Sequence, residues 1–279
     1  MNIRPMLKQD IDFALHLTSY EGWGSIALDF EEILAFDSES CFILEINETP
    51  AGMICTIPYD GFGYISNLIV LKEHRNRGLG AVLMKHALAH LERRGVKSHL
   101  LDGVLNAVSL YERFGFERRY KSLRLEGHVE PRTSDDIREM ANADLNDING
   151  FDARFFGASR KDFLESRLRH FPSFCKVLEI DGYIEGYIMG SERRGFIRIG
   201  PWVMKTNSER AESLLQDFSS ECEGMPLRMG VLENNEMALH ILQKHGFAQK
   251  SYSWRMIRGV RGSWTFSDHL YAIHSAARG

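Results

Sequence analysis

Cysteine is scarce. Four residues, Cys41, Cys55, Cys175 and Cys222, lie far apart in a chain of 279, and none forms a Cys-x-x-Cys pair. That pattern fits neither a disulfide framework nor a zinc knuckle, and it leads to the expectation of reduced thiols in a cytoplasmic protein. Long apolar runs are missing too. No stretch approaches the ~20 apolar residues of a membrane-spanning helix, and residues 1–10 offer no apolar segment suited to a signal peptide. Basic charge is not in excess: the formal net charge is −4, whereas nucleic acids are held largely by basic surfaces on their phosphates. Neither a membrane nor a nucleic acid is therefore expected as a partner. The signatures Gly-x-x-x-x-Gly-Lys-[Ser/Thr], Gly-x-Gly-x-x-Gly, His-Glu-x-x-His and Gly-x-Ser-x-Gly are absent as well.

What is present is a globular balance, 44% hydrophobic and 26% charged, with enough apolar material to bury a core. A repeat organises the chain. Phe42-Ile43-Leu44-Glu45-Ile46, a turn and Ala51-Gly52-Met53-Ile54-Cys55 are echoed by Val177-Leu178-Glu179-Ile180, Asp181-Gly182 and Glu185-Gly186-Tyr187-Ile188-Met189. Each set reads as a β-hairpin. Both halves also close alike, Tyr111-Glu112-Arg113-Phe114-Gly115-Phe116 against Leu242-Gln243-Lys244-His245-Gly246-Phe247. Each closing segment reads as a helix stopped by a left-handed glycine before a last strand. Recurrence over a domain's length points to duplication rather than a solenoid. The expected organisation is a first domain over 1–126, a linker over 127–135 and a second domain over 136–279 whose tail begins after Gly259. In the first domain, helices are expected over 8–20 and 29–36 and a strand over 64–71. A helix over 79–94 follows, with Leu79, Val82, Leu83, Ala87 and Leu91 at helical spacing, then a parallel strand over 97–101.

The stretch richest in chemistry is Val70-Leu71-Lys72-Glu73-His74-Arg75-Asn76-Arg77-Gly78-Leu79-Gly80-Ala81, between a strand and an amphipathic helix. Unbonded N–H groups at a helix start, backed by the helix dipole, form an anion site. Gly78 and Gly80 would let backbone approach a ligand, and Arg75 and Arg77 add positive charge. A diphosphate is the natural guest.

Arg75-x-x-Gly78-x-Gly80 resembles the coenzyme A loop of the GNAT acyltransferase superfamily. Leu68-Ile69-Val70 ahead of it is similar to the strand whose bulge exposes backbone to the acyl-pantetheine arm, and Tyr111-x-x-x-Gly115-Phe116 resembles the family's closing helix and strand. The fold so implied is α/β with a mixed sheet, in tandem copies. By this resemblance Leu68, Ile69 and Val70 meet the arm and Arg75, Asn76, Arg77, Gly78, Leu79 and Gly80 the diphosphate. Acetyl-CoA is the implied acyl donor, no metal is implied, and Tyr111 matches the tyrosine that gives a proton or hydrogen bond to the departing sulfur. Glu21 is the first candidate for general base, with Trp23 beside it closing an acceptor pocket. Asp102, after the short strand, is a second carboxylate that could face the acyl end. Many family members carry Asn seven residues before the tyrosine, where this chain has Val104. The segment Leu101-Asp102-Gly103 is more similar to a subgroup of two-domain bacterial GNAT proteins, as are Ile199-Gly200-Pro201 and Arg255-Met256.

The second half keeps Asn235-x-x-Ala238 and Gly246-Phe247 but has Leu242 in the tyrosine's place. Its loop, Met204-Lys205-Thr206-Asn207-Ser208-Glu209-Arg210, contains no glycine. Glu209 would repel a phosphate, and Ser208 can cap the next helix unaided. This half is read as a diverged copy without the usual coenzyme A site. His86 and His90, four apart on a helix, lack a third metal ligand, and Asp29, Glu31, Glu32, Asp37 and Glu39 read as a solvated helix face. The expected activity is acetyl transfer from acetyl-CoA to a primary amine of a small molecule, by a monomer or a homo-oligomer. The alternatives are an acyl-CoA-binding regulatory module and a protein N-acetyltransferase.

Overall fold

A computed structural model describes residues 1–205, 210–260, 262 and 267–279. Its chain forms two compact units. Unit 1 comprises Met1–Arg119, Arg255–Val260 and Arg278; unit 2 comprises Tyr120–Trp254, Arg261–Ala277 and Gly279. Among the described residues no helix is long and apolar enough to cross a membrane.

Unit 1 begins with β1 (Asn2–Pro5), α1 (Ile11–Tyr20), α2 (Ala27–Phe36), β2 (Cys41–Ile46), β3 (Thr49–Tyr59) and β4 (Phe62–Val70). It continues through α3 (Leu79–Arg93), β5 (His99–Gly103) and α4 (Val108–Arg113) into β6 (Glu117–Gly127), which passes into unit 2 at Tyr120. Unit 2 holds β7 (Ile137–Glu139), α5 (Leu145–Phe156), α6 (Lys161–His170), β8 (Cys175–Ile180), β9 (Tyr183–Arg193) and β10 (Phe196–Met204). Then come α7 (Arg210–Ser219), β11 (Leu227–Leu232), α8 (Glu236–Lys244), β12 (Ala248–Arg258) and β13 (Leu270–Ala272). From Arg255 onward β12 belongs to unit 1, whose sheet runs β1-β2-β3-β4-β5-β12. The sheet of unit 2 runs β6-β11-β10-β9-β8-β7. Residues 120–127 are thus part of unit 2. The stretch read as a linker also packs there, with Val129 in the hydrophobic core and the Ser134 amide donating to Asp217.

The repeat has physical causes. Both hairpins shift register at the same place, between Leu44 and Glu45 and between Leu178 and Glu179. The matching glycines leave no room for a Cβ, which would stand 2.8 Å from Ile69 O at Gly52 and 2.5 Å from Met204 Sδ at Gly186. Phe116 N donates to Tyr111 O and Phe247 N to Leu242 O, the six-to-one bond that ends a helix on a left-handed glycine. In α3 the predicted stripe is buried at Leu79, Leu83, Ala87 and Leu91.

Other features follow from tertiary contact. Cys41 and Cys55 lie opposite each other on β2 and β3, and burial together with the neighbouring thiol pushes Cys41 well above the usual thiol range. The α2 carboxylates are largely occupied within unit 1. Glu32 is buried against Arg278, Asp29 accepts the Ile26 amide, and Arg94 pairs with Asp37 and Glu39. The expectation of a wholly solvated face fails at Glu32, because its partner sits near the end of the chain. His86 and His90 both lie edge-on to Phe42, at 4.5 and 5.1 Å, and burial lowers both from the usual imidazole value.

Candidate active site

β4 carries a bulge. Met53 pairs with Ile69 and Cys55 with Ser66, so β4 holds one more residue than β3 there, and Asn67 takes a φ of 51°. Such an extra residue bends a strand and interrupts its ladder. Beside it, β4 and β5 are parallel only across Gly63–His99, Tyr64–Leu100 and Ile65–Leu101. Beyond those pairs β5 continues to Gly103 and β4 to Val70 without pairing to each other again. A fork therefore opens beside Leu68, Ile69 and Val70.

Past Val70 the chain makes a single 3-10 turn at Lys72–His74, and Asn76 and Gly78 adopt φ of 60° and 78°. Gly78 opens α3 with no side-chain cap, and open space surrounds its Cβ position. Here glycine meets a backbone requirement, since a left-handed residue with a Cβ is strained. Among the described residues none of the amides of Asn76, Arg77, Gly78, Leu79 and Gly80 has a hydrogen-bond partner. Unpaired donors at the positive end of a fifteen-residue helix suit an anion. At Gly80 space is limited, as a Cβ would meet Leu110 Cδ2 at 3.3 Å. α4, which carries Tyr111, packs against the start of α3 at that point.

The two arginines of the loop differ. Arg75 Nε donates to Val70 O at 2.9 Å and its Nη2 pairs with Glu21 at 2.6 Å, while Arg77 Nη1 lies 3.1 Å from His74 Nδ1. Lys72 sits 5.4 Å over the Tyr20 ring, so the end of α1 is joined to the loop twice. Glu21 is accordingly brought to the anion loop, as the partner of Arg75. Trp23 follows it, half-buried, with its amide on Thr18 O at 3.1 Å. The Asp102 side chain, a carboxylate that could face the acyl end, is fully enclosed and held by Arg255 Nε at 2.6 Å. Arg255 lies 153 positions further along the chain, so local spacing could not reveal it.

Tyr111 has a buried ring, edge-on to Phe116 at 6.4 Å. Its hydroxyl has no hydrogen-bond partner among the described residues yet is not among the fully enclosed unpartnered polar atoms. Burial pushes the phenol above its ordinary value of 10.0.

Unit 2 repeats the fork and fills it. β10 and β11 are parallel across Ile197–Leu227, Arg198–Arg228 and Ile199–Met229, then part. β13 lies in the gap, pairing Trp202 with Ala272 and Val203 with Leu270 on one side, and donating from Ile273 N to Gly230 O at 2.9 Å on the other. Asn235 caps α8 through Ala238 N and donates from Nδ2 to Asp268 O and Leu270 O, each at 2.9 Å. The residues of the second loop on which the sequence reading turned, Thr206, Asn207, Ser208 and Glu209, lie outside the described residues.

An irregular strand parting from its parallel neighbour recurs in both α/β units, and in unit 1 it leads to a helix start without a side-chain cap. Residues 12–116 match the acetyltransferase (GNAT) family and residues 148–272 the acetyltransferase (GNAT) domain. The chain belongs to the GNAT acetyltransferases and carries two domains of that kind. An uncharacterized N-acetyltransferase of Bacillus subtilis is 31% identical over 87 residues, covering 31% of this chain and 62% of that protein. One of Methanocaldococcus jannaschii is 26% identical over 137 residues, 42% of this chain and 61% of that one. The chain thus spans about six-tenths of the length of these curated relatives. A crystal structure from Pyrococcus horikoshii shares the fold at TM-score 0.84 and 24% identity, covering 100% of this chain and 95% of that one. A tandem GNAT protein from the clavulanic acid pathway shares it at TM-score 0.63 and 12% identity, covering 94% and 99%.

Proposed function

We propose that unit 1 transfers the acetyl group of acetyl-CoA to a primary amine of a small molecule by direct attack. The observation that carries this reading is the unbonded row of amides over 76–80 adjoining the fork beyond Ile65 and Leu101. One end suits a diphosphate and the other an extended, amide-bearing arm. The chain itself supplies an internal comparison: in unit 2 an extended backbone already lies in the equivalent fork.

Acetyl-CoA, when bound, supplies an activated thioester. The residues here do the rest. The amides of Asn76, Arg77, Gly78, Leu79 and Gly80 hold the diphosphate, and the Arg77 side chain adds charge. The backbone of Leu68, Ile69 and Val70 aligns the arm. Tyr111 offers its hydroxyl proton to the sulfur as the carbon–sulfur bond breaks, and the proton shed by the attacking nitrogen as the amide forms passes through solvent and restores the phenol. Because burial raises its phenol, that proton is retained at neutral and moderately alkaline pH. Trp23 borders the acceptor. Glu21 is assigned as a latch on Arg75 rather than a base, since accepting a proton would break its 2.6 Å pair. Asp102, enclosed with Arg255, is assigned a structural role.

Two measurements check these assignments. Calorimetric titration of the full chain with acetyl-CoA should give close to one site per chain, because β13 fills the second fork. Absence of binding removes the reading, and two equivalent sites would mean that β13 is displaced. Glu21→Gln should raise the KM for acetyl-CoA up to about fivefold with kcat retained, the scale of a partly exposed ion pair. A large fall in kcat would restore Glu21 as base. The engagement of both candidate carboxylates by arginines favours one second reading, an acyl-CoA-binding module with little turnover. Thiol release from acetyl-CoA across an amine panel separates the two.

A further inference from the structure

The late residues Arg255–Val260 belong to unit 1, where β12 lies next to β5 in the sheet. They meet the end of β5 on both faces. On one, Arg255 holds Asp102 through Nε at 2.6 Å and Nη2 at 3.4 Å, with side chains 5% and 0% exposed. On the other, as strand alternation requires, Met256 is buried beside Gly103. A Cβ on Gly103 would stand 3.0 Å from Met256 Sδ and 3.0 Å from Tyr111 Cδ2. The strand is tied again further along, where Arg258 donates to Glu92 at 3.0 Å and Ser98 Oγ donates to Val260 O at 2.9 Å.

We infer that Arg255 and Met256 are positioning residues for Tyr111: Arg255 fixes the end of β5 through Asp102, and Met256 forms the wall beside which the Tyr111 ring rests. The inference depends on the donor role proposed for Tyr111. No described residue hydrogen-bonds the hydroxyl, so among them ring packing sets its direction, and a small tilt of the ring is magnified at the oxygen. An ångström of misplacement at a reacting group can cost about 100-fold in rate.

The test uses full-length Met256→Leu, which keeps apolar volume, and Arg255→Lys, which keeps the charge facing Asp102 but loses the planar fork. Each is measured alone and combined with Tyr111→Phe. Each single variant should lower kcat about tenfold while the KM and calorimetric affinity for acetyl-CoA stay within about twofold. In the Tyr111→Phe background neither should add a further loss. Losses that persist without the Tyr111 hydroxyl would overturn the positioning role, as would unchanged kcat in both variants while Tyr111→Phe alone is impaired. A Tyr111→Phe chain as active as the parent would remove the donor reading itself, and this inference with it.

Discussion

Tyr111→Phe should lower kcat by about 100-fold or more while leaving the KM for acetyl-CoA within about twofold. The substitution deletes one oxygen and little else. The ring stays enclosed between Phe116 and Gly103, and the carbonyl still accepts the Phe116 amide that closes α4. The lost hydroxyl makes no hydrogen bond to a described residue, so folding has little reason to suffer and the coenzyme loop, on different residues, is untouched. The pH profile gives a second readout. Burial raises the Tyr111 phenol from 10.0; the neutral, donating form is favoured, and kcat should show no alkaline decline from this group below that value. Release of free thiol, followed at several pH values, checks both. A variant with undiminished kcat would remove Tyr111 as the proton donor.

The fold was legible where a short motif has a local physical cause. Leu-Glu-Ile marks a strand that slips register between Leu44 and Glu45 and again between Leu178 and Glu179. Gly-Phe marks the same closing bond at Tyr111 and Leu242. The backbone of the loop over 75–80 was legible for a similar reason, since Gly78 takes a left-handed conformation to open α3 without a side-chain cap. The partners of the carboxylates were not legible, because they are remote in sequence. Glu21 finds Arg75 after 54 positions and Asp102 finds Arg255 after 153. Nothing near either carboxylate distinguishes a base from half of an ion pair. The filling of the second fork was hidden likewise. Asn235 keeps its expected spacing but spends its amide on Asp268 O and Leu270 O of the tail. The tail segment itself carries no pattern that separates an inserted strand from a loose end.

Asp102→Ala should destabilise the chain by about 3–5 kcal/mol, because it removes the carboxylate paired with the Arg255 guanidinium in a nearly dry site. The pair is 2.6 Å long, with Asp102 wholly enclosed and Arg255 5% exposed. Water cannot easily replace the missing carboxylate there. A loss of that size lowers the melting temperature by about 6–20 °C for a domain of this class. Glu21→Gln offers the contrast. Its pair with Arg75 is equally short, but the side chains are 25% and 36% exposed, and the expected loss is at most about 1 kcal/mol. Calorimetry on both variants thus separates enclosure from distance as the cause. The double substitution Asp102→Leu with Arg255→Met takes the argument further, since it removes both charges and fills the space with apolar atoms. Stability should return to near the parent's or exceed it, as replacing a buried ion pair by packed hydrophobic groups often does. If Asp102 serves only to anchor β12 to β5, acetyl transfer should return with stability in that double variant, to within the roughly tenfold that loss of the Arg255 fork costs. A stable double variant without activity would instead give the Asp102 carboxylate a direct part in the reaction.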